Sequence, residues 1–338
     1  MTIRVMGATG SGKTTFINLV SGSSLRVGTG LRSCTADIQV SHTFELEGRS
    51  VMLIDTPGFD DTSKSDTDIL RTISSFLVAA YEKNTKLAGV IYIHRISDNR
   101  MGGISTRNFR MFRKLCGDDT LKNVILMTNM WGEVSEEVGA TREAQLSQDD
   151  MFFKPALQNG AKLLRHYNTP ESAKNILKCI ISNHPEALRI QRELVEEKKA
   201  ISETGAGEIL NEELRNLAEK HKEDMKTLEE DMREVIKERD LKAEEELTEA
   251  KSKLQAEMKM IEESSQKLAS NYTAERAKFE RQFQEQMEAA NHKALEYQRK
   301  IESLESSLEA RSVSASEMEA LRREIEELRN RGPTCVVQ

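Results

Sequence analysis

The segment Gly7-Ala8-Thr9-Gly10-Ser11-Gly12-Lys13-Thr14 decides the fold of the N-terminal half of the chain. It satisfies the pattern G-x-x-x-x-G-K-[ST] and lies between an apolar strand pattern at residues 3–6 and a helical pattern at residues 14–20. A strand, a glycine-rich loop and a helix in this order form a phosphate-binding loop. The alternative is a Gly/Ser-rich turn that matches by coincidence, which this placement disfavours.

Each position of this loop has a chemical role in that interpretation. Its glycines let backbone N–H groups curl around a β-phosphate, the Lys13 ammonium approaches the β and γ oxygens, and the Thr14 hydroxyl ligates Mg2+. The residues predicted to contact the nucleotide here are Gly7, Ala8, Thr9, Gly10, Ser11, Gly12, Lys13, Thr14 and Thr15.

A second loop indicates the same site. The apolar strand at residues 51–54 ends in Asp55-Thr56-Pro57-Gly58, where Asp55 can hold magnesium through water and the Gly58 amide can sense a γ-phosphate. Taken alone, these residues could form a plain β-turn. Between the two loops, the polar segment at residues 28–35 is a candidate switch, in which Thr35 is a predicted second magnesium ligand. Ser33 and Thr29 are alternatives to Thr35. The candidate catalytic groups are Lys13, Thr35 and Gly58, and the candidate metal ligands are Thr14, Thr35 and Asp55.

The first 185 residues predict an α/β fold. Short apolar runs rich in β-branched residues alternate with helical patterns, which indicates a mostly parallel sheet with helices on both faces. Residues 38–46 alternate apolar and polar side chains and predict a further strand, followed by a turn at residues 47–50. The predicted strands are residues 3–6, 51–54, 90–93 and 124–127, and the predicted helices are residues 14–20, 69–81 and 108–115.

These motifs resemble a known family. Residues 7–14 together with residues 55–58 resemble a translation-factor-class GTPase rather than a kinase. The stretch at residues 96–105, followed by residues 109–117, resembles the immunity-associated (GIMAP, avirulence-induced) GTPases, which are septin-like. The whole arrangement resembles fungal G-domain-containing proteins that append a long coiled coil. The resemblance implies GTP or GDP with Mg2+ as the ligands, and G domains that pair across the nucleotide.

The base-recognition signature departs from that family. After the strand at residues 124–127 the chain reads Thr128-Asn129-Met130-Trp131, without the Lys and Asp of the guanine signature. Asn129 could bond to a base, and Trp131 could either stack on one or belong to the core. The resemblance implies a further base contact at Asn168. Nucleoside triphosphate binding thus follows from the residues and GTP from the resemblance, while a P-loop ATPase of another class remains the alternative.

Hydrolysis is predicted to be slow. No Gln follows Gly58 to orient a water, since the next residues are Phe59, Asp60 and Asp61. A cation could come from Arg95, from Arg100 or from a paired protomer. His94 could act as a general base or be a packed histidine.

The second half of the chain has a different composition. Residues 1–185 carry a net charge of +3 and residues 186–338 carry −10, which together give the net charge of −7. Residues 208–331 contain neither Gly nor Pro and show apolar residues at a 3.5-residue spacing, which predicts one long helix in a dimeric coiled coil. The alternative is a solvated single helix. The predicted units are a G domain at 1–185, a helical linker with a hinge at 186–207, the coiled coil at 208–331 and a tail at 332–338.

The last four residues, Cys335-Val336-Val337-Gln338, fit the C-a-a-X pattern for prenylation of Cys335. Chance agreement is the alternative, and one prenyl chain predicts only reversible attachment to an internal membrane.

Composition excludes several classes of protein. No apolar run is long enough for a membrane span or a signal peptide, which predicts a soluble, cytoplasmic chain. Four distant cysteines argue against a disulfide framework or a zinc site, and the acidic balance argues against nucleic acid as a partner. Three classes survive: a nucleotide switch, a polymerising NTPase and a nucleotide-binding scaffold. We favour the switch.

Overall fold

The computed structural model describes an N-terminal α/β domain followed by a pair of long helices. The predictions for Thr29, Ser33 and Thr35 lie outside the described residues, as do those for Arg100 and Cys335 and most of the coiled-coil pattern beyond residue 281. The described residues are 1–27, 38–59, 64–83, 85–99, 102–238 and 241–270, with short runs and single positions between 273 and 303.

A seven-stranded sheet forms the centre of the domain. Its strands are β1 (Thr2–Gly7), β2 (Gln39–Val40), β3 (Phe44–Leu46), β4 (Arg49–Asp55), β5 (Leu87–Arg95), β6 (Val124–Asn129) and β7 (Lys162–Arg165). Strands β4, β1, β5, β6 and β7 lie side by side in this order and run parallel, whereas β2 and β3 pair antiparallel with β4. The predicted α/β fold with a mostly parallel sheet is confirmed.

Helices cover both faces of the sheet. They are α1 (Lys13–Ser21), α2 (Asp66–Glu82), α3 (Gly103–Cys116), α4 (Glu136–Gln148), α5 (Lys154–Gln158), α6 (Pro170–Ile181), the short α7 (Arg189–Gln191), α8 (Gly205–Glu238) and α9 (Leu241–Ala269). Strand β1 contributes side chains to the cores on both faces of the sheet, because successive side chains of a strand point to opposite faces. Ile3 and Val5 are buried in the core shared with α1 and α6, and Met6 in the core shared with α2 and α3.

The predicted strand at residues 38–46 is divided into β2 and β3. Between them the Ser41 hydroxyl accepts a bond from the Leu53 N–H at 2.9 Å, and the Ser41 N–H donates to the Leu53 carbonyl at 2.8 Å. The turn into β4 is formed by Glu47 and Gly48, with φ of 51° and 73°. Two positive φ values suit the right-handed twist of a hairpin.

The predicted helical linker at residues 186–207 is partly helical in the structure. Residues 189–196 form a short helical segment with a π-turn, whose Gln191 side chain donates to the Leu77 carbonyl of α2 at 2.8 Å. At the start of α8 the Thr204 hydroxyl accepts a hydrogen bond from the Gly207 N–H at 3.1 Å and caps the helix. A Cβ on Gly207 would collide with the Ile201 carbonyl, so this glycine permits close packing.

Helices α8 and α9, which we call the helical arm, lie antiparallel. Glu229 pairs with Lys251 at 3.0 Å, and His221 approaches Glu257 at 3.8 Å. The expected single uninterrupted helix is therefore not what the structure has over residues 205–269. The physical reason is that each apolar stripe is covered within the chain: α8 packs on α3, and α9 packs on α8 and α2. Among the described helices, none is long and apolar enough to cross a membrane.

Candidate functional site

The phosphate loop follows β1 at the carboxyl edge of the sheet. Gly7, Gly10 and Gly12 have φ of 143°, 73° and 90°, a region that glycine adopts without a Cβ penalty. A Cβ on Gly7 would collide with the Ile93 carbonyl, and one on Gly12 would lie 2.6 Å from the Asn129 amide nitrogen. The loop conformation therefore depends on glycine at these places.

Lys13 and Thr14 begin helix α1 at the end of this loop. The Lys13 ammonium donates to the carbonyl oxygens of Gly7 at 3.1 Å and Ala8 at 2.9 Å, so it lies over the loop that it would serve. The Thr14 hydroxyl donates to Oδ2 of Asp55 at 2.5 Å. Both predicted magnesium ligands that the structure describes are thus brought together, although they are 41 residues apart in sequence.

Asp55 provides a carboxylate oxygen suited to a cation. It is fully buried, and its Oδ1 has no hydrogen-bond partner among the described residues. Burial raises the pKa of Asp55, while the bond from Thr14 and the charge of Lys13 oppose that shift. An orphaned buried oxygen beside a hydroxyl is the donor set that a hard cation such as Mg2+ prefers. The residues therefore fit the predicted ion.

Gly58 lies directly over the phosphate loop. A Cβ at Gly58 would be 2.5 Å from the Thr9 backbone nitrogen, and that N–H donates to the carbonyl of Phe59 at 3.1 Å. The Phe59 side chain is 1% exposed. The structure thus places the predicted γ-phosphate sensor at the loop, as the sequence pattern expects. Thr15 is exposed one residue beyond Thr14.

Asn129 holds the phosphate loop in place. Its Nδ2 donates to the Ser11 carbonyl at 3.2 Å, and its Oδ1 accepts from the Met130 N–H at 2.7 Å. Met130 has a left-handed φ of 63°. This tethering role was not predicted from the sequence, because it depends on how β6 lies beside the loop. A base contact by Asn129 stays a prediction.

Trp131 is packed beneath an arginine. The guanidinium carbon of Arg165 lies 4.0 Å from its ring centroid, and the indole N–H donates to the Thr128 hydroxyl at 3.1 Å. Trp131 is 6% exposed. Arg165 is held in turn by Glu143 at 2.6 Å and Glu136 at 2.5 Å. This packing favours the core interpretation of Trp131, and Arg165 is a residue for which the sequence offered no signal.

The loop after β7 opens at the same edge. His166 is buried, with Ser172 Oγ 2.9 Å from Nδ1, and burial lowers its pKa to about 4. Tyr167 and Asn168 are exposed, and Asn168 has a φ of 56°. Because β7 runs parallel to β6, the predicted base contact at Asn168 is at the same end of the sheet as Asn129.

The guanidinium of Arg95, at the carboxyl end of β5, lies beside the phosphate loop. The Nη1 of Arg95 lies 3.5 Å from the position of a Cβ on Gly10, and its Nε pairs with Asp98 at 3.0 Å. Burial lowers the pKa of the preceding His94 to about 4, and its ring meets Phe153 edge-on at 5.8 Å. His94 therefore corresponds to the packed interpretation, whereas Arg95 lies at the site.

Residues 2–130 match the protein family described as 50S ribosome-binding GTPase. Over residues 2–130 the N-terminal domain is therefore similar to a P-loop GTPase G domain. The match extends from β1 through the phosphate loop and Asp55 to Met130, and so leaves out Trp131, Arg165 and the loop after β7. No curated protein matches the chain.

Several solved structures are similar to the G domain. Toc33 from Arabidopsis thaliana in complex with GDP and Mg2+ is 19% identical, with a TM-score of 0.44 over 56% of this chain and 87% of that chain. The G domain of the T. maritima FeoB iron transporter is 17% identical, with a TM-score of 0.34 over 54% and 96%. Era in complex with MgGDPNP and a 16S ribosomal RNA segment is 15% identical, with a TM-score of 0.40 over 55% and 58%.

Proposed function

We propose that the chain is a guanine-nucleotide switch that binds GTP or GDP with Mg2+ and hydrolyses GTP slowly. The observation that carries the proposal is the 2.5 Å bond between Thr14 and Asp55 at the end of a phosphate loop that contains Lys13. Hydroxyl, carboxylate and ammonium converge there, as binding of a magnesium triphosphate requires.

Magnesium would be held by Thr14 and, through water, by Asp55. When bound, the ion offsets the charge of the β and γ oxygens. The chain's own residues then supply orientation: the loop N–H groups hold the β-phosphate, and Lys13 moves from the carbonyls of Gly7 and Ala8 to the phosphate oxygens. The Gly58 N–H donates a hydrogen bond to the γ-phosphate.

The preference for guanine is supported by the family match rather than by a base signature. The stretch Thr128-Asn129-Met130-Trp131 contains neither the Lys nor the Asp of the guanine signature. Asn129 and Asn168 are the polar side chains proposed to contact the base instead. The runner-up function is a P-loop ATPase of another class, which this departure favours.

Slow hydrolysis is supported by the surroundings of Gly58. The next residue, Phe59, is buried and cannot orient a water. Arg95 provides a cation in cis at Gly10, and its Nε is paired with Asp98 at 3.0 Å. We therefore propose a slow rate that rises when protomers pair, because a partner could add a second positive charge beside that of Arg95. A scaffold that binds nucleotide without turnover is the alternative.

The nucleotide released from the purified, denatured protein identifies the ligand directly by chromatography. We expect guanine nucleotide, mostly GDP. Adenine nucleotide would overturn the guanine assignment in favour of the ATPase alternative.

We also propose that the chain is cytoplasmic, self-associates through its C-terminal helical region and is prenylated at Cys335. The support is the C-a-a-X pattern and the 3.5-residue apolar spacing. One prenyl chain binds a membrane only marginally, and a dimer would supply two. Cys335→Ser should lower the membrane-bound fraction in cells, and equal partitioning of parent and variant would contradict lipidation.

A further inference from the structure

Thr9, the third residue of the phosphate loop, has a buried hydroxyl without a partner. Its Oγ1 forms no hydrogen bond with any described residue, while its backbone N–H donates to the carbonyl of Phe59 at 3.1 Å. A hydroxyl always carries a donor hydrogen, and a buried donor without an acceptor costs free energy. The Thr9 hydroxyl is therefore a donor that an acceptor on a ligand would satisfy.

This hydroxyl lies beside the backbone of Gly58. A Cβ on Gly58 would be 2.6 Å from Thr9 Oγ1, which is too close for any residue but glycine. Because a Cβ lies about 2.5 Å from the nitrogen of its own residue, Oγ1 is at most about 5 Å from the Gly58 nitrogen. A hydrogen bond spans roughly 2.7–3.0 Å between heavy atoms, so the two donors can reach the same phosphate group.

A second hydroxyl of the loop without a partner faces a different element. Ser11 Oγ is buried, has no hydrogen-bond partner among the described residues, and lies 3.0 Å from the position of a Cβ on Gly7. The Ile93 carbonyl, near the end of β5, approaches the same position. By contrast, Thr9 supplies all three atoms nearest to a Cβ on Gly58. The Thr9 hydroxyl thus lies on the side of the loop that follows β4.

The position of Thr9 favours contact with the γ-phosphate over the β-phosphate. The donors proposed for the β-phosphate are the loop N–H groups at the start of α1, together with the Lys13 ammonium. Thr9 precedes Lys13 by four residues, and its backbone is bonded instead to the segment that follows Asp55. Its hydroxyl therefore belongs to the side of the site where Gly58 is proposed to bind the third phosphate.

We propose that the Thr9 hydroxyl donates a hydrogen bond to the γ-phosphate and so raises the affinity for nucleoside triphosphate over that for diphosphate. The Thr9 hydroxyl and the Gly58 N–H then form a pair of donors on one phosphate. With a diphosphate the hydroxyl finds no acceptor and contributes nothing to affinity. This inference rests on the proposed nucleotide binding and names a specificity-determining side chain of that site.

Thr9→Val tests the proposal, because valine has nearly the same shape and lacks the hydroxyl. A lost hydrogen bond to a charged group should lower the affinity for Mg2+ with a non-hydrolysable GTP analogue about 10- to 100-fold. The affinity for Mg2+ with GDP should stay within about twofold of the parent. Thr9→Ser keeps the hydroxyl and should restore most of the triphosphate affinity. Equilibrium binding of both nucleotides to the full-length protein gives the ratio of the two affinities.

Thermal unfolding without nucleotide separates this role from a structural one. Thr9→Val removes a buried donor that has no acceptor, so its unfolding midpoint should equal that of the parent or exceed it. A hydroxyl that stabilised the loop would instead give a lower midpoint and weaken binding of both nucleotides by the same factor. That result would overturn the inference.

Ser11→Ala is the matched control, since it removes the other partnerless hydroxyl of the same loop. It should leave the ratio between the triphosphate and diphosphate affinities at the value of the parent. An equal change of this ratio in Ser11→Ala and Thr9→Val would overturn the assignment to Thr9. An unchanged ratio in Thr9→Val, with both nucleotides bound tightly, would overturn the inference and leave the proposed function standing. Failure of the parent to bind either nucleotide would overturn the proposed function and the inference with it.

Discussion

Thr14 and Asp55 are joined by a 2.5 Å hydrogen bond between the hydroxyl of one and Oδ2 of the other, while the second oxygen of Asp55 has no partner in the described part of the chain. Strands β1 and β4 are adjacent and parallel, so the loops after them open at one edge of the sheet. That adjacency brings two short sequence motifs together into one candidate cation site. A buried carboxylate oxygen without a partner is costly unless a ligand completes it.

Lys13→Ala should lower the affinity for magnesium nucleotide about 10- to 100-fold and leave the fold intact. Its ammonium is the charged donor of the phosphate loop, bonded in the structure to the carbonyls of Gly7 and Ala8, and a hydrogen bond to a charged group contributes roughly 1.5–3 kcal/mol. Equilibrium binding of a labelled guanine nucleotide measures the loss. Lys174→Ala, an exposed lysine on α6, is the matched control. Equal binding by parent and Lys13→Ala would show that the site is elsewhere.

The raised pKa of Asp55 predicts how the stability of the folded protein changes with pH. Burial raises its pKa above the ordinary value, so between those two values the folded chain binds a proton more readily than the unfolded chain. Stability of the nucleotide-free protein should fall as pH rises through that window. Affinity for Mg2+ should move the other way, since only the ionised carboxylate binds the cation.

Asp55→Asn tests both effects. Removing a buried charge should raise the midpoint of thermal unfolding at neutral pH without nucleotide, and abolish the stabilisation that Mg2+ with GDP gives the parent. A lower midpoint together with retained magnesium dependence would contradict the assignment of Asp55.

Asn129→Ala distinguishes a tether of the loop from a base contact. If Asn129 acts only by holding the Ser11 carbonyl, its loss should lower the affinities for guanosine and inosine diphosphate by the same factor, about tenfold. A contact of Asn129 with the 2-amino group of the base, which inosine lacks, would instead change the ratio between the two affinities. Competition binding measures that ratio, and Asn175→Ala on the exposed face of α6 is the control.

Trp131→Phe should lower the free energy of unfolding and leave the affinity for nucleotide nearly unchanged. The substitution removes the indole N–H bond to Thr128 and part of the stacking surface under Arg165, a loss of about 1–3 kcal/mol in the free energy of unfolding. Denaturant unfolding measures that loss. Affinity for GDP should stay within about twofold of the parent. A large fall in affinity with unchanged stability would mean that a base stacks on Trp131.

The parts of the site that could be predicted from the sequence are those fixed by local backbone. Gly7, Gly10 and Gly12 have positive φ, and Thr14 follows them on the first turn of a helix, so spacing alone specifies them. The tether of Asn129 and the packing of Arg165 on Trp131 depend on which strands lie side by side. No pattern within one strand carries that information.

The helical arm shows the same limit on a larger scale. A 3.5-residue spacing specifies an apolar stripe but not the surface that covers it. Leu210 and Leu214 of α8 and Leu268 of α9 are buried in the core shared with α2 and α3, although a partner helix could have covered them equally well. Arg71 of α2 pairs with Glu275, and Arg107 of α3 pairs with Glu213 of the arm. These ion pairs favour docking of the arm on the domain, and they form only when α2 and α3 lie beside it.

Self-association should therefore depend on the sequence beyond the docked arm. The stripe at residues 287–308 repeats at the coiled-coil spacing, and an apolar stripe is stable in water only when another surface covers it. We expect the full-length chain to sediment as a dimer and a chain that ends at residue 281 to sediment as a monomer that still binds nucleotide. Ile301→Lys with Leu304→Lys should act like the truncation, because two charges enter the seam, whereas Lys300→Ala with Glu305→Ala should leave the dimer intact. A dimer that persists in the truncated chain would place the interface on the G domain instead.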